Sequence, residues 1–314
     1  VYQFTKHSSV QVDFAKMKAA LYLLALANTL TPFVSADVYV STTGSDSNDG
    51  LSEGKAVASL AKAQQAVRTQ ISSMKANITV HIAPGTYELS APLAFTAQDS
   101  GKGGFAVNWV GPGALVSGGR KLSNWSVGAN GVYSASVAPG TKSRNLYVNG
   151  QASNYARRKV ANRKDFTYTS TSIKWNSGTY DWITGTAGIE NAEVRFINSF
   201  TDRYAPIKGK GNKELIMKQS WWFLNNWGYD HVANPNADFG VWVQNALALL
   251  TEGGQFYLDS QQGKVYYKPL NGENMATADT RLGVLETLIS VGGSYDAPAH
   301  DITFQGLSFV SILE

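Results

Sequence analysis

The sequence predicts an all-β protein with one helix near its start. Short β-runs recur from Val38 to Phe309, broken by Gly, Pro, Ser and Asn turn signals. Only residues 59–74 carry clear helical spacing. Cysteine is absent, so strands must hold together without disulfides, and a chain of 314 residues can bury a core large enough for that.

The opening elements follow from residues 37–95. Val38 to Val40 reads as a short strand, followed by a loop rich in Gly, Ser, Asp and Asn. Ser59 is placed to cap a helix, and Leu60, Ala63, Val67, Ile71 and Met74 give it one apolar face. Ile78 to Ile82 is a β-run closed by Ala83-Pro-Gly-Thr-Tyr87. A lone amphipathic helix must lay its face on a neighbour, and here the neighbours are strands. Ala106 to Val110 and Ala114 to Val116 are further β-runs before Ser117-Gly-Gly119.

Residues 120–280 are richer in aromatics and in alternating β-runs. These are Arg144 to Gly150, Ala192 to Ile197, Lys213 to Met217, Phe256 to Asp259 and Lys264 to Lys268, with NG, DSQQG and GKGNK as hairpin or turn signals between them. Leu288 to Gly292 and Asp301 to Phe309 return to the pattern of residues 38–116. Ile302, Phe304, Leu307 and Phe309 share one face if Gly306 resets the phase.

The order GSDSNDG, SLAKAQQAV, ITVHIAPGTYEL, LAFTAQDSG resembles the start of secreted right-handed parallel β-helix proteins of the pectate-lyase-like superfamily, carbohydrate-active proteins of fungi and bacteria. The resemblance implies a β-solenoid start over 37–119, its N-terminal end plugged by the helix. The 28-residue interval from Thr79 to Val107 suits one solenoid turn. RNLYVNGQASNYARR and the stretch from Trp242 to Met275 are similar to segments of that family, and 120–280 reads as an inserted antiparallel β-rich subdomain. The family commonly has a Glu-Asn pair and a Gly-Glu-Trp-Tyr stretch where this chain has Gln244-Asn245 and Gly254-Gln255-Phe256-Tyr257, so any role of those acids does not carry over. Residues 281–314 read as the resumption of coils, incomplete at Glu314, and the chain reads as C-terminally truncated.

Lys18, the apolar run Ala19 to Ala27, Pro32 and Val34-Ser-Ala36 read as a signal peptide over 17–36, with 1–16 as an upstream extension. The expected location is extracellular. The chain carries +4, of which residues 37–314 hold about +2. No Lys/Arg run stands out, so neither nucleic acid nor an anionic membrane is an expected partner; a polysaccharide or glycan is, with the protein a monomer. Asn77 and Asn124 begin sequons and are candidate glycosylation sites.

For chemistry, the resemblance points to a glycoside hydrolase acting on a plant or microbial polysaccharide. The alternatives are a pectate-type polysaccharide lyase, a non-catalytic carbohydrate-binding or wall protein, and an inactive fragment. Hydrolysis needs two carboxylates about the scissile bond, and in enzymes of this resemblance they sit on successive coils about 4.8 Å apart. The late runs offer Asp296, Asp301 and Glu314 beside His300, with Asp301 reading first as a turn residue, so the catalytic pair is unassigned. No cofactor is expected except Ca²⁺ under the lyase alternative, and Asp46-Ser-Asn-Asp49-Gly50 reads as a capped turn rather than a Ca²⁺ loop. The substrate-binding candidates are Trp221, Trp222, Trp227, Tyr229, Asp230 and His231, because sugar C–H faces stack on aromatic rings while Asp and His bond the hydroxyls. Asp181-Trp182 and Thr201 to Tyr204 are candidates for the same surface, although Asp202-Arg203 equally fits a solvated ion pair.

Overall fold

A computed structural model describes residues 37–313. The expected extension, signal peptide and Glu314 lie outside the described residues. The chain divides into two compact units. Among the described residues no helix is long and apolar enough to cross a membrane.

The first unit holds residues 37–83, 95–112 and 292–305. Its strands Val38–Val40 and Ile78–Ile82 pair in parallel, Val38 opposite Val80, and Ile78–Ile82 pairs in parallel with the start of Val107–Ser117. The helix Leu60–Ile71 forms as its spacing predicts, with Ser59 Oγ accepting from the Lys62 N–H at 3.1 Å. Leu60, Ala63, Gln64 and Val67 are buried, and Met74 is buried just beyond the last turn. Arg68 grips Asp99 through two bonds of 2.7 and 2.9 Å, and Asp99 also accepts from the Thr96 N–H. Phe95 stands edge-on to Trp109 and Phe304, with ring centroids 5.2 and 5.0 Å apart.

The second unit is built from antiparallel ladders. Seven strands run in the order Arg157–Lys159, Gly240–Gln244, Glu193–Ile197, Asp202–Gly211, Glu214–Met217, Ser172–Trp175 and Phe166–Tyr168. Period-2 alternation sorts their side chains. Val194, Phe196, Val241, Val243, Ala205 and Leu215 turn into one apolar core, while Arg195, Trp242, Tyr204 and Lys159 meet across strands on the other face. A five-stranded sheet that includes Gln255–Asp259 and Lys264–Lys268 lies between two cores. Its Tyr257 and Tyr266 pack on the first, and Phe256, Leu258, Val265 and Tyr267 enter a second with Leu146, Val148 and Leu282 of a four-stranded sheet. Asn149 and Gly150 take φ of 50° and 79°, the left-handed pair a two-residue hairpin requires between Leu146–Val148 and Gln151–Ala152.

These ladders overturn the expected right-handed parallel β-helix. The protein is all-β, but its sheets are mostly antiparallel or mixed, and no solenoid forms among the described residues. The physical reason lies in the connections: consecutive strands are joined by tight turns such as Asn149-Gly150, and a tight turn reverses the chain into an antiparallel pair. Parallel pairing occurs among the opening strands and between the short Asn154–Tyr155 and Gln255–Asp259, and Ile302–Val310 runs alongside Val107–Ser117 in the same sheet. At the end of the chain Gly306 does take φ 73°. Leu307 and Val310 then sit half-buried, while Phe309 stays exposed.

Within the second unit one polar contact joins the four-, five- and seven-stranded sheets. Arg144, two residues before Leu146–Val148, forks onto Glu193 at 2.6 and 3.3 Å. Gln244 donates to the same carboxylate at 2.7 Å, and Arg144 lies over the rings of Tyr155 and Tyr204. Glu193 and Gln244 are buried. Replacing Arg144 by Ala should destabilise the protein by roughly 2–3 kcal/mol, less than a fully buried pair because Arg144 keeps some solvent access. Gln244→Glu should set two carboxylates together and raise their folded pKa values above the unfolded ones. Its deficit against wild type should be small at pH 4.5 and grow as pH rises to 8. Thermal melts at both pH values check this; a pH-independent gap would count against it.

Candidate functional site

The sequence-selected stretch 221–231 forms a short helix, Trp221–Asn225, and the loop after it. The fold splits its residues into two groups. Trp222 is 1% exposed, donates its Nε1–H to the Thr169 carbonyl at 2.9 Å and belongs to the core. Asp230 is 4% exposed, and it accepts from the Phe200 and Asn236 N–H groups, the Thr201 hydroxyl and the Asn236 amide. Neither presents a free face. Trp221, Trp227 and Tyr229, by contrast, are 54%, 70% and 77% exposed. His231 is half-buried with Nδ1 turned inward.

The exposed aromatics stand on a loop fixed by polar contacts. Arg203 donates to the carbonyls of Leu224, Asn225, Trp227 and Asp230, at 3.0 to 3.2 Å. Arg163 is buried, lies over the Phe196 ring and donates to the Val232 carbonyl and the Asn198 amide oxygen; Asn198 in turn donates to the Asp230 carbonyl. Burial alone would raise the Asp230 pKa. The N–H groups of Phe200 and Asn236, with Thr201 and the Asn236 side chain, outweigh that and hold it down to about 2.

Other sequence candidates fall elsewhere. Thr201 and Arg203 join the loop as anchors, but Asp202 pairs with Arg195 at 2.6 Å rather than with Arg203. Asp181 accepts from Trp175 Nε1, and Trp182 lies under Arg158. Asp301 has φ 51°, lends its carbonyl to the Val107 N–H and touches His300. Asp46 accepts from the Ala58 and Ser59 N–H groups, the capped turn its sequence suggests. Among the described residues no three His, Asp or Glu gather as a metal site. Asn77 and Asn124 are both exposed, and Asn77 Oδ1 accepts from the Ala106 N–H.

Sequence reasoning missed Phe200, 77% exposed beside Asp230, and the buried anchor Arg163. It also passed over Arg157-Arg158-Lys159, a short basic run on the first strand of the seven-stranded sheet. The alternation of Glu193, Arg195 and Ile197 with Val194 and Phe196 held the signal for a polar sheet face. Clefts of similar size open in this unit. One, of about 370 Å³, is lined by Arg144, Tyr155, Asn245 and Glu286; another, of about 400 Å³, by Arg157, Arg158, Lys159, Trp182, Trp242 and Glu252; and a third, of about 390 Å³, by Asn130, Val132, Leu247 and Tyr266.

The chain shares its fold with a solved glycoside hydrolase. The likeness has a TM-score of 0.76 at 22% identity, over 89% of this chain and 51% of that one. The chain thus spans about half the length of the structure it matches. A second solved chain, from the complex structure of XylC with xylose, overlays at a TM-score of 0.36 and 12% identity, covering 88% of this chain and 35% of that one, too loosely to inform the site. No family model matches the sequence, and no curated protein does.

Trp222→Ala should cost about 3–5 kcal/mol of stability, as a buried Trp does, whereas Trp227→Ala should leave the melting temperature within a degree or two of wild type. Asp230 supplies stability that is present above its unfolded pKa near 3.8 and is lost as pH falls toward 2. The melting-temperature gap between wild type and Asp230→Asn should therefore shrink between pH 5 and pH 2. A constant gap would remove the ionic role.

Proposed function

We propose that this chain is part of a secreted carbohydrate-active hydrolase and that it holds glycan on Trp221, Trp227 and Tyr229. The observation that carries the reading is the combination of exposure and rigidity at 221–231. Three large rings face solvent on a loop fixed by a buried aspartate and by arginine bonds to its carbonyls. Exposed aromatics on a mobile loop would lose binding energy to ordering; here the ordering cost is met on folding. Flat rings stack on the apolar faces of pyranoses, and the indole N–H and phenol O–H bond their hydroxyls. The shared fold with a glycoside hydrolase supports the class, and the apolar run at 19–27 with its small-residue site supports export. Trp222 and Asp230 act in this reading as support, and glycans on Asn77 and Asn124 belong to the same proposal.

The test is retention in affinity gels that contain plant or microbial polysaccharides, with reducing ends measured alongside. Replacing Trp221, Trp227 and Tyr229 together by Ala should weaken retention by roughly tenfold or more and leave the far-ultraviolet circular dichroism unchanged. Unaltered retention would sink the loop as the binding surface. Retention without release of reducing ends would confine the chain to binding.

A further inference from the structure

One end of the seven-stranded sheet exposes more apolar surface than stacking on a glycan uses. Phe200 sits in the turn between Glu193–Ile197 and Asp202–Gly211, which the Asn198 N–H closes on the Thr201 carbonyl at 2.9 Å. The Phe200 N–H reaches Asp230, at the far end of the 221–231 loop, at 2.8 Å. Arg203, just inside the same hairpin, holds the carbonyls of Leu224 and Trp227. The Phe239 N–H bonds the Ile197 carbonyl at 3.0 Å. Turn, loop and strand entry are thus tied into one surface. On it Phe200, Phe223, Leu224, Trp227, Tyr229 and Phe239 are each 60–77% exposed.

Four of these six are unexplained by the glycan reading. Phe and Leu, unlike Trp and Tyr, offer no N–H or O–H to a sugar hydroxyl. The short helix is anchored by the buried Trp222 and Asn225, so positions 223 and 224 face solvent, where polar residues would serve the fold as well. Hairpin turns favour Gly, Asn, Asp or Ser over Phe at a position such as 200. At roughly 150–250 Å² for a large aromatic side chain, the six together expose about 700–800 Å². The largest apolar patch of a typical monomer is about 300–600 Å². A stable protein–protein contact covers about 800 Å² on each partner.

From this match we infer that the end of the sheet is an interface between two copies of this chain, packed face to face about a two-fold axis. Its charge points to a copy as the occupant. The ionisable groups beneath the rings are spent inward: Asp230 on Phe200, Thr201 and Asn236, Arg203 on loop carbonyls, and Arg163 on Val232 and Asn198. The flanks carry Lys218 and Asp238, both exposed and of opposite sign. A surface balanced in this way meets its own copy without like-charge repulsion, and a strongly charged partner gains nothing from it. Membrane-surface anchors combine such rings with a face rich in Lys and Arg, which this surface lacks. Trp227 and Tyr229 serve both readings, so a copy and a glycan compete for them. The interface rests on Phe200, Phe223, Leu224 and Phe239, and not on the glycan reading.

Sedimentation equilibrium of the chain between about 1 and 100 µM should show a mass that rises toward that of two copies. Phe200→Ser with Phe223→Ser and Leu224→Ser, all facing solvent, should raise the dimer dissociation constant at least roughly tenfold and leave the circular dichroism unchanged. Phe239→Arg alone should also weaken the dimer, because it sets a desolvated charge in the contact of both copies. A chain that stays monomeric throughout, a dimer untouched by either variant, growth beyond two copies, or a monomer that floats with phosphatidylcholine vesicles would each overturn the interface. Polysaccharide retention keeps the two readings apart. A dimer that the serine substitutions dissolve, in a chain that no polysaccharide retains, removes the loop reading alone. A monomeric wild type that polysaccharide still retains removes the interface alone.

Discussion

The second unit depends on a single buried carboxylate. Glu193 receives the Arg144 fork and the Gln244 amide, and Arg144 stacks on Tyr155 and Tyr204. These residues belong to three different sheets or their immediate flanks. Three sheets can slide past one another on apolar faces at little cost, because hydrophobic contact is non-directional. A charged, bidentate contact with a second donor is directional, and it fixes their register. The amide at 244 is part of that device: a second acid beside Glu193 would compete for the one guanidinium and would have to carry a proton.

That lock has a consequence on the outer face of the seven-stranded sheet. With Glu193 and Gln244 satisfied inside, the next register row carries Lys159, Trp242, Arg195 and Tyr204. Arg195 pairs with Asp202, whereas among the described residues the cations of the edge strand form no salt bridge. The loop 221–231 follows a different logic. There the polar groups Asp230, Arg203 and Arg163 are spent on backbone partners, and the aromatics are left free. One surface offers open rings on a fixed loop, the other open charge beside fixed rings.

The departure from the expected solenoid shows where local signals stop. Val38 to Val40, Ile78 to Ile82, the capped helix and the Asn149-Gly150 turn were legible because each is specified by neighbours within a few residues. The resemblance at 37–95 was carried by such local pieces, and the opening strands do pair in parallel. How ladders continue depends on which distant strands meet, and no local motif states that. The tryptophan cluster illustrates the same limit: Trp221 and Trp222 are adjacent in sequence, yet the helical turn sends one to solvent and the other into the core.

By itself the sequence determined the all-β composition, the single amphipathic helix with its Ser59 cap, the turn positions, and the aromatic wealth of 221–231, since propensity and periodicity act over a few residues. Only the tertiary structure decided that the strands close into mostly antiparallel or mixed sheets, that Trp222 and Asp230 support while Trp227 and Tyr229 stay open, and that Arg157 lies over the Trp242 ring. Those outcomes depend on burial and on pairing between residues tens of positions apart, which chain proximity does not encode.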